Sequence, residues 1–367
     1  MKYRFIDGNG QEYLPDVEQW RPEEGIFNIK SYDVSFPKEK LIKRQSTMWR
    51  YKEALPFDNS EAYSQVTLGE GMTPLVLLER EQPNFYVKLD YLMPTGSFKD
   101  RGAAVLIAKA VELGAASVIA DSSGNAGTAV AAYCARANLD CRIYVPSSTS
   151  EKKLAQIEAH GAKIFKVQGS REDTAEAAKK AVEEEKAFYA SHVYNPFFYE
   201  GTKTFAFEIW EQLDYEVPDK VILPVGNGTL VLGAYIGFQN LKSAGVTDKL
   251  PEIIAVQSEG CAPIADAFHS NEKVSLVETS HTQAEGIAIA DPQRGDQIIE
   301  AVRETKGTII VAPEQDIVLA RKELAGKGFY VEPTTAATYA AYRTYQPQLV
   351  DSNELVVLSL CGSGLKK

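Results

Sequence analysis

Short apolar runs alternate with amphipathic segments along most of the chain, in one series from residue 97 to 190 and a second from about residue 195 onward. Apolar strands joined by helices are typical of a parallel sheet with helices on both faces. The pattern predicts strands at residues 117–120, 142–145, 163–167, 188–190, 220–223, 252–257, 308–311 and 354–360. It predicts helices at residues 97–113, 126–137, 150–160, 171–186, 202–213, 230–243 and 334–345. We therefore expect an α/β protein with two doubly wound, mainly parallel-sheet domains.

The first ninety or so residues have weaker periodicity, and we expect them to form strands and loops that pack onto the second sheet. The 367 residues carry a formal net charge of −11, which argues against nucleic acid or an anionic membrane as the main partner. No apolar stretch has the length of a membrane span, and the first residues lack the apolar core of a signal peptide, so we expect a cytoplasmic protein. The four cysteines and four histidines lack the spacing of a zinc site, and we expect no metal.

One lysine has a notable position. Lys99 lies in the first turn of a predicted helix, directly after the turn formed by residues 94–98. The partial positive charge of a helix N-terminus disfavours the ammonium form, and a neutral lysine amine can form a Schiff base with a carbonyl group. The same residues also fit a solvated, charged helix face.

Three turns that follow predicted strands are rich in Gly, Ser and Asn. The first precedes a helix, and its backbone N–H groups and hydroxyls suit a substrate carboxylate; its residues are Ser122, Ser123, Gly124, Asn125 and Ala126. The second suits a cofactor monophosphate, because its glycines allow close approach and it lacks the lysine of a P-loop; its residues are Gly226, Asn227, Gly228 and Thr229. The third ends the last strand and contains Cys361, and its glycines allow a planar ring to come close. Each turn alone also fits a plain connection, but with Lys99 the set suits pyridoxal 5′-phosphate.

From about Trp49 to the C-terminus the sequence resembles the threonine synthases, which belong to the tryptophan-synthase-β class of pyridoxal-phosphate enzymes, also called fold type II. No single motif is decisive, but their order and spacing are specific. The matching segments are residues 68–75, 94–102, 123–125, 195–196, 200–204, 224–228, 257–260, 331–333 and 364–366.

The resemblance implies a role for each matching residue. Lys99 would hold the cofactor as a Schiff base and later move protons, and Asn125 would donate a hydrogen bond to the phenolic oxygen of the cofactor. Residues 226–229 would bind the cofactor phosphate, and residues 122–126 the substrate carboxylate. Further cofactor contacts would come from Phe98, Glu285 and Cys361. The resemblance also implies a homodimer, a small mobile domain of residues 96–189, and a large cofactor-binding domain of residues 1–95 and 190–367.

The chain departs from the family at positions that bear on the substrate. Threonine synthases usually have an arginine two residues after the Asn-Pro pair, and this chain has Phe198 there, unless the segment is shifted by one residue. Just upstream, where the family tends to have Asn and Ser, this chain has His192 and Val193. A phenyl ring cannot replace the paired hydrogen bonds of a guanidinium to phosphate, so a phosphorylated substrate would need charge from elsewhere. The candidate sources are Lys152, Lys153 and Lys203.

Two further departures resemble other members of the class. Residues 284–289 are similar to a segment of threonine and serine ammonia-lyases, and Cys361 replaces a threonine. We therefore expect a pyridoxal-phosphate-dependent lyase that eliminates a substituent from a small L-amino acid through an aminoacrylate or aminocrotonate, with Phe198 and His192 lining the substrate side-chain pocket. One alternative is a true threonine synthase, which converts O-phospho-L-homoserine and water to L-threonine and phosphate. A second is a non-catalytic relative that binds the cofactor or a metabolite. A nicotinamide-dependent dehydrogenase fits less well, because no dinucleotide fingerprint follows any strand.

Overall fold

A computed structural model describes residues 3–58, 61–351 and 353–366. Among these residues the strands are β1 Phe5–Ile6, β2 Glu12–Tyr13, β3 Leu75–Leu77, β4 Phe85–Lys88, β5 Ser117–Ala120, β6 Asp140–Pro146, β7 Lys163–Val167, β8 Phe188–Tyr189, β9 Lys220–Pro224, β10 Glu252–Ser258, β11 Thr308–Ala312 and β12 Val356–Ser359. The α-helices are α1 Lys38–Leu41, α2 Tyr63–Val66, α3 Lys99–Glu112, α4 Asn125–Ala137, α5 Glu151–Ala159, α6 Arg171–Glu185, α7 Pro196–Thr202, α8 Thr204–Gln212, α9 Thr229–Ser243, α10 Pro263–Ser270, α11 Gly295–Glu304, α12 Glu314–Gly326 and α13 Pro333–Leu349.

The chain divides into two compact units. The first unit consists of the described parts of Met1–Gly71 and of Lys99–Thr202. Its main sheet has four parallel strands in the order β7, β6, β5, β8, and a separate antiparallel pair joins β1 to β2. In this sheet β5 and β6 are connected through α4, and β6 and β7 through α5, as expected for βα units.

The second unit consists of Met72–Phe98 and the described part of Lys203–Lys367. Its sheet has six strands in the order β11, β10, β9, β12, β4, β3. All neighbours are parallel except β3, which pairs antiparallel with β4 at one edge. Every residue of β9 and β12 is buried, which explains why these central strands are continuous apolar runs rather than alternating ones. The two mainly parallel sheets confirm the predicted fold class.

The N-terminal residues do not follow the prediction. Only β3 and β4 join the six-stranded sheet, whereas the segment before Gly71 belongs to the first unit. Aromatic side chains make this attachment: the ring of Phe5 lies 4.9 Å from that of Phe197, and the ring of Trp20 lies 4.9 Å from that of Tyr189. The two compact units are thus delimited at other residues than the predicted domains of 1–95 with 190–367 and of 96–189, which stay a prediction.

The pattern also missed several helices, namely α1, α2, α7, α10, α11 and α12. The predicted helix at 202–213 corresponds to α8, while α7 begins earlier, at Pro196. Asn195 marks this start, since its Oδ1 accepts the N–H of Phe197 at 3.1 Å and proline suits the first helical position. That signal was present in the sequence. No helix among the described residues is long and apolar enough to cross a membrane.

Candidate active site

Lys99 is the first residue of α3, as predicted, and is half-buried. Its amine faces an apolar ring of the same unit: Nζ lies 5.8 Å from the ring centroid of Phe198, a fully buried residue of α7. The structure thus brings together the predicted Schiff-base lysine and the phenylalanine that replaces an arginine of the family.

Two glycines allow α3 and α7 to approach closely enough for this contact. A Cβ on Gly102 would lie 2.3 Å from Cε1 of Phe198, and a Cβ on Gly201 would lie 2.0 Å from the carbonyl oxygen of Arg101. Neither distance is compatible with an ordinary side chain. Each helix therefore has a glycine at the point where a side chain would collide with the other helix. The position of the Phe198 ring beside Lys99 depends on both glycines.

His192 completes this group of side chains. It is half-buried, and its ring centroid lies 6.0 Å from that of Phe198. Burial lowers the pKa of His192 well below its ordinary value, and the positive charges of Lys99 and Arg171 lower it further. The imidazole is therefore neutral at pH 7, and the two predicted substrate-pocket residues offer an apolar ring and an uncharged ring near the Lys99 amine.

The depressed pKa of His192 predicts a pH-dependent stability. Because the unfolded chain takes up a proton near the ordinary pKa of 6.5 and the folded protein does not, stability falls as the pH drops below that value. We expect the free energy of unfolding to fall by about 1 kcal/mol more in the parent protein than in His192→Asn between pH 7 and pH 5. Urea unfolding at the two pH values measures this difference, and His281→Asn, at an exposed histidine, is the control. Equal losses in the parent protein and His192→Asn would contradict the assignment.

The predicted carboxylate loop lies between β5 and α4. Gly124 is the N-cap residue of α4, no side chain caps the helix, and the N–H of Gly124 donates to Oγ of Ser122 at 3.3 Å. Gly127 permits this tight turn, since a Cβ there would lie 1.8 Å from the carbonyl oxygen of Ser122. The loop residues Ser122, Ser123 and Asn125 are half-buried, Gly124 is exposed and Ala126 is buried. An uncapped N-terminus of a 13-residue helix suits a carboxylate, which is the role predicted for this loop.

In the second unit, the predicted phosphate loop lies between β9 and α9. Gly228 is the N-cap residue of the helix with φ of 77°, a conformation that favours glycine, and no side chain caps α9. A Cβ on Gly226 would lie 2.9 Å from Cγ1 of Ile289 and 3.0 Å from Cα of Ile287. Asn227 is half-buried and Thr229 is buried. The loop is therefore closely packed on one side and presents the positive end of a 15-residue helix, which suits a phosphate dianion.

The segment of Glu285 lies against this loop. Glu285 is exposed and begins the short 3₁₀ helix Glu285–Ile287, whose last residue is the Ile287 that contacts Gly226. The next residue after Glu285, Gly286, donates its N–H to Oγ1 of Thr334 at 3.1 Å. Glu285, a predicted cofactor contact, therefore lies close to the predicted phosphate loop.

Cys361 lies at the end of β12 and is almost fully buried. The N–H of Phe98 donates to the carbonyl oxygen of Cys361 at 2.9 Å, so these two predicted cofactor contacts are adjacent. Oγ1 of Thr335 lies 3.0 Å from Sγ of Cys361 and accepts the N–H of Gly362 at 3.0 Å. Thr335 was not predicted, because it is distant from Cys361 in the sequence and its contact arises only from the packing of α13.

Two buried hydroxyls near this strand end fit a bound polar group. Ser97 pairs with Gly362 in an isolated bridge, and Ser359 is the last residue of β12. Both side chains are fully buried, and their Oγ atoms have no hydrogen-bond partner among the described protein groups. Buried hydroxyls are normally hydrogen-bonded, so two unsatisfied ones beside Cys361 indicate a place for a ligand with polar atoms. With the uncapped α9, this environment fits pyridoxal 5′-phosphate.

The three lysines that could supply positive charge to a phosphorylated substrate differ from one another in burial. Lys152 and Lys153 are exposed on α5. Lys203 is fully buried in the second unit, with Nζ 5.9 Å from the ring centroid of Phe207.

Known proteins with similar sequences belong to one enzyme family. The profile of the family described as "Pyridoxal-phosphate dependent enzyme" matches residues 66–362. The chain belongs to this family. Among curated family members, the threonine synthase of Methanocaldococcus jannaschii is 36% identical over 350 residues, which cover 93% of this chain and 86% of that protein. The threonine synthase of Methanosarcina acetivorans is 36% identical over 355 residues, with coverage of 94% and 86%.

Solved structures of this enzyme class show the same fold. The processed form of threonine deaminase isoform 2 from Solanum lycopersicum superposes with a TM-score of 0.70 at 23% identity, covering 95% of this chain and 92% of that one. The predictions of fold type II, of pyridoxal 5′-phosphate as cofactor and of a pyridoxal-phosphate-dependent lyase are confirmed. The roles assigned to individual residues stay predictions.

Proposed function

We propose that this enzyme eliminates a substituent from the β-carbon of a small, unphosphorylated L-amino acid such as serine or threonine. The observation that supports the proposal is the environment of the Lys99 amine, where Phe198 and the neutral His192 lie. A phosphate dianion is stabilised by cations and charge-assisted hydrogen bonds, each contributing about 1.5–3 kcal/mol. Phe198 cannot donate a hydrogen bond, and His192 offers at most one neutral donor.

The residues have distinct parts in the proposed reaction. Pyridoxal 5′-phosphate, when bound, withdraws electrons from the substrate α-carbon and weakens its bonds. Lys99 is proposed to hold this cofactor through Nζ and, as a free amine, to take the α-proton and give it to the departing β-hydroxyl, which leaves as water. The N-terminal turn of α4 would bind the substrate carboxylate and so orient the α-carbon. The N-terminal turn of α9 would bind the cofactor phosphate, and Cys361 would lie against the cofactor ring.

A two-substrate assay tests this proposal. The purified holoenzyme is given L-serine or L-threonine, with release of ammonia and 2-oxo acid measured, and separately O-phospho-L-homoserine, with phosphate release measured. We expect kcat/KM for serine or threonine to exceed that for O-phospho-L-homoserine by at least about tenfold, which corresponds to 1.4 kcal/mol. The opposite ranking would refute the proposal.

Variants at position 198 sharpen the assay. Phe198→Arg places a guanidinium beside Lys99 and should raise kcat/KM for O-phospho-L-homoserine by about tenfold or more. Phe198→Leu removes the ring without adding charge and serves as the matched control, which should show no such gain.

A true threonine synthase is the second candidate. The observation in its favour is that the curated relatives at 36% identity carry that name. It predicts dominant phosphate release from O-phospho-L-homoserine together with formation of L-threonine. The same assay therefore separates the two candidates.

A further inference from the structure

The N-terminal segment is attached to α7, the helix that carries Phe198. The hydroxyl of Tyr3 lies 3.3 Å from Oε1 of Glu200, and the hydroxyl of Tyr32 donates to Oε2 of the same side chain at 2.9 Å. Glu200 lies in α7 and is only 1% exposed. A buried carboxylate needs such donors, since leaving it without them costs more than an ordinary hydrogen bond contributes.

Tyr32 keeps its proton in this environment. Burial raises the pKa of Tyr32 well above its ordinary value, and the negative charge of Glu200 raises it further. A phenol that cannot ionise remains a hydrogen-bond donor at every physiological pH. The rings of Tyr3 and Tyr32 also lie 4.9 Å apart in an edge-to-face arrangement, which fixes one donor relative to the other.

Aromatic packing adds a second attachment one helical residue away from Phe198. The ring of Phe197 lies 5.3 Å from that of Tyr3 and 4.9 Å from that of Phe5. Consecutive residues of a helix point in directions about 100° apart. Phe197 therefore meets the N-terminal segment while Phe198 meets Gly102 of α3, and α7 is held from two sides.

We propose that Tyr3, Tyr32 and Glu200 position α7, and through it set the distance between the Phe198 ring and the Lys99 amine. In this arrangement the tyrosines are positioning residues that do not touch the substrate. The consequence for substrate choice rests on the role given to Phe198 in the proposed function. The effect on the surroundings of the Lys99 amine is independent of that proposed function.

The double variant Tyr3→Phe/Tyr32→Phe removes both donors and leaves the rings in place. Tyr13→Phe is the matched control, because it makes the same change in the same segment, where the hydroxyl donates to Oδ2 of Asp7 at 3.0 Å. We expect the double variant to lose about tenfold in kcat/KM, mainly through KM, and the control to stay within about twofold. Far-UV circular dichroism verifies the fold, and the single variant Tyr32→Phe replaces the double variant if the latter does not fold.

Two readouts separate positioning from a general loss of stability. In a Phe198→Leu background the tyrosine changes should alter kcat/KM by less than about twofold, because they act through the missing ring. In the pH titration of the visible absorbance of the lysine-bound cofactor, the double variant should shift the midpoint by at least about half a unit, and Tyr13→Phe should not shift it. Undiminished effects in the Phe198→Leu background, or an equal loss in Tyr13→Phe, would overturn the proposal. The absorbance titration needs no substrate, so it decides the matter even if serine and threonine prove not to be substrates.

Discussion

The variant Lys99→Ala is expected to lose at least about 10³-fold in kcat/KM and to hold no covalently attached cofactor. Alanine at the first position of α3 removes the amine that lies 5.8 Å from the Phe198 ring centroid. Borohydride reduction of the holoenzyme followed by peptide mass spectrometry locates the cofactor, and steady-state kinetics give the loss.

The exposed lysine of α5, Lys152, supplies the control for this experiment. Lys152→Ala should keep both the activity and the cofactor adduct on the Lys99 peptide. A cofactor adduct on a different lysine of the parent protein would refute the role of Lys99. Full activity of Lys99→Ala would refute it equally.

The variant Gly201→Ala should lower the free energy of unfolding by about 3 kcal/mol or more. The new Cβ would lie 2.0 Å from the carbonyl oxygen of Arg101, and a backbone atom of α3 cannot rotate away as a flexible side chain can. The helices must separate, which also withdraws Phe198 from Gly102. Urea unfolding followed by tryptophan fluorescence measures the loss.

A second helical glycine provides the comparison. Gly326 ends α12 and has no atom within 4 Å of an added Cβ, so Gly326→Ala should be neutral or stabilising by up to about 1 kcal/mol. If Gly201→Ala were as stable as Gly326→Ala, the close contact of α3 and α7 would be disproved.

Periodicity predicted those parts of the fold that are determined by local pattern. Strands such as β5 and β9 are apolar because parallel strands are covered on both faces, and this property is visible in a single sequence. The unit against which the N-terminal segment packs could not be predicted in this way. It depends on which distant rings Phe5 and Trp20 meet, namely Phe197 and Tyr189, and no local pattern encodes that choice.

In the candidate site, too, some residues could be predicted from local sequence and others could not. Lys99 and the glycine loops were predicted as candidates from the sequence, because turns after parallel strands are short and chemically distinctive. Thr335, Ser97 and Ser359 were missed, since a single hydroxyl in a helix, turn or strand has no signature until packing buries it. Glu200 lies in the matching segment 200–204, but its contacts with Tyr3 and Tyr32 were not predicted. These tyrosines precede it by 197 and 168 positions.

The contact between Gly102 and Phe198 also limits how this protein can change over generations. The ring occupies the space that a side chain at position 102 would need, so any replacement at 102 disturbs position 198. We therefore expect a bulkier residue at position 102 to be tolerated only together with a smaller side chain at position 198. Under the role proposed for Phe198, a residue without a side chain would thus restrict which substrates the descendants of this enzyme can acquire.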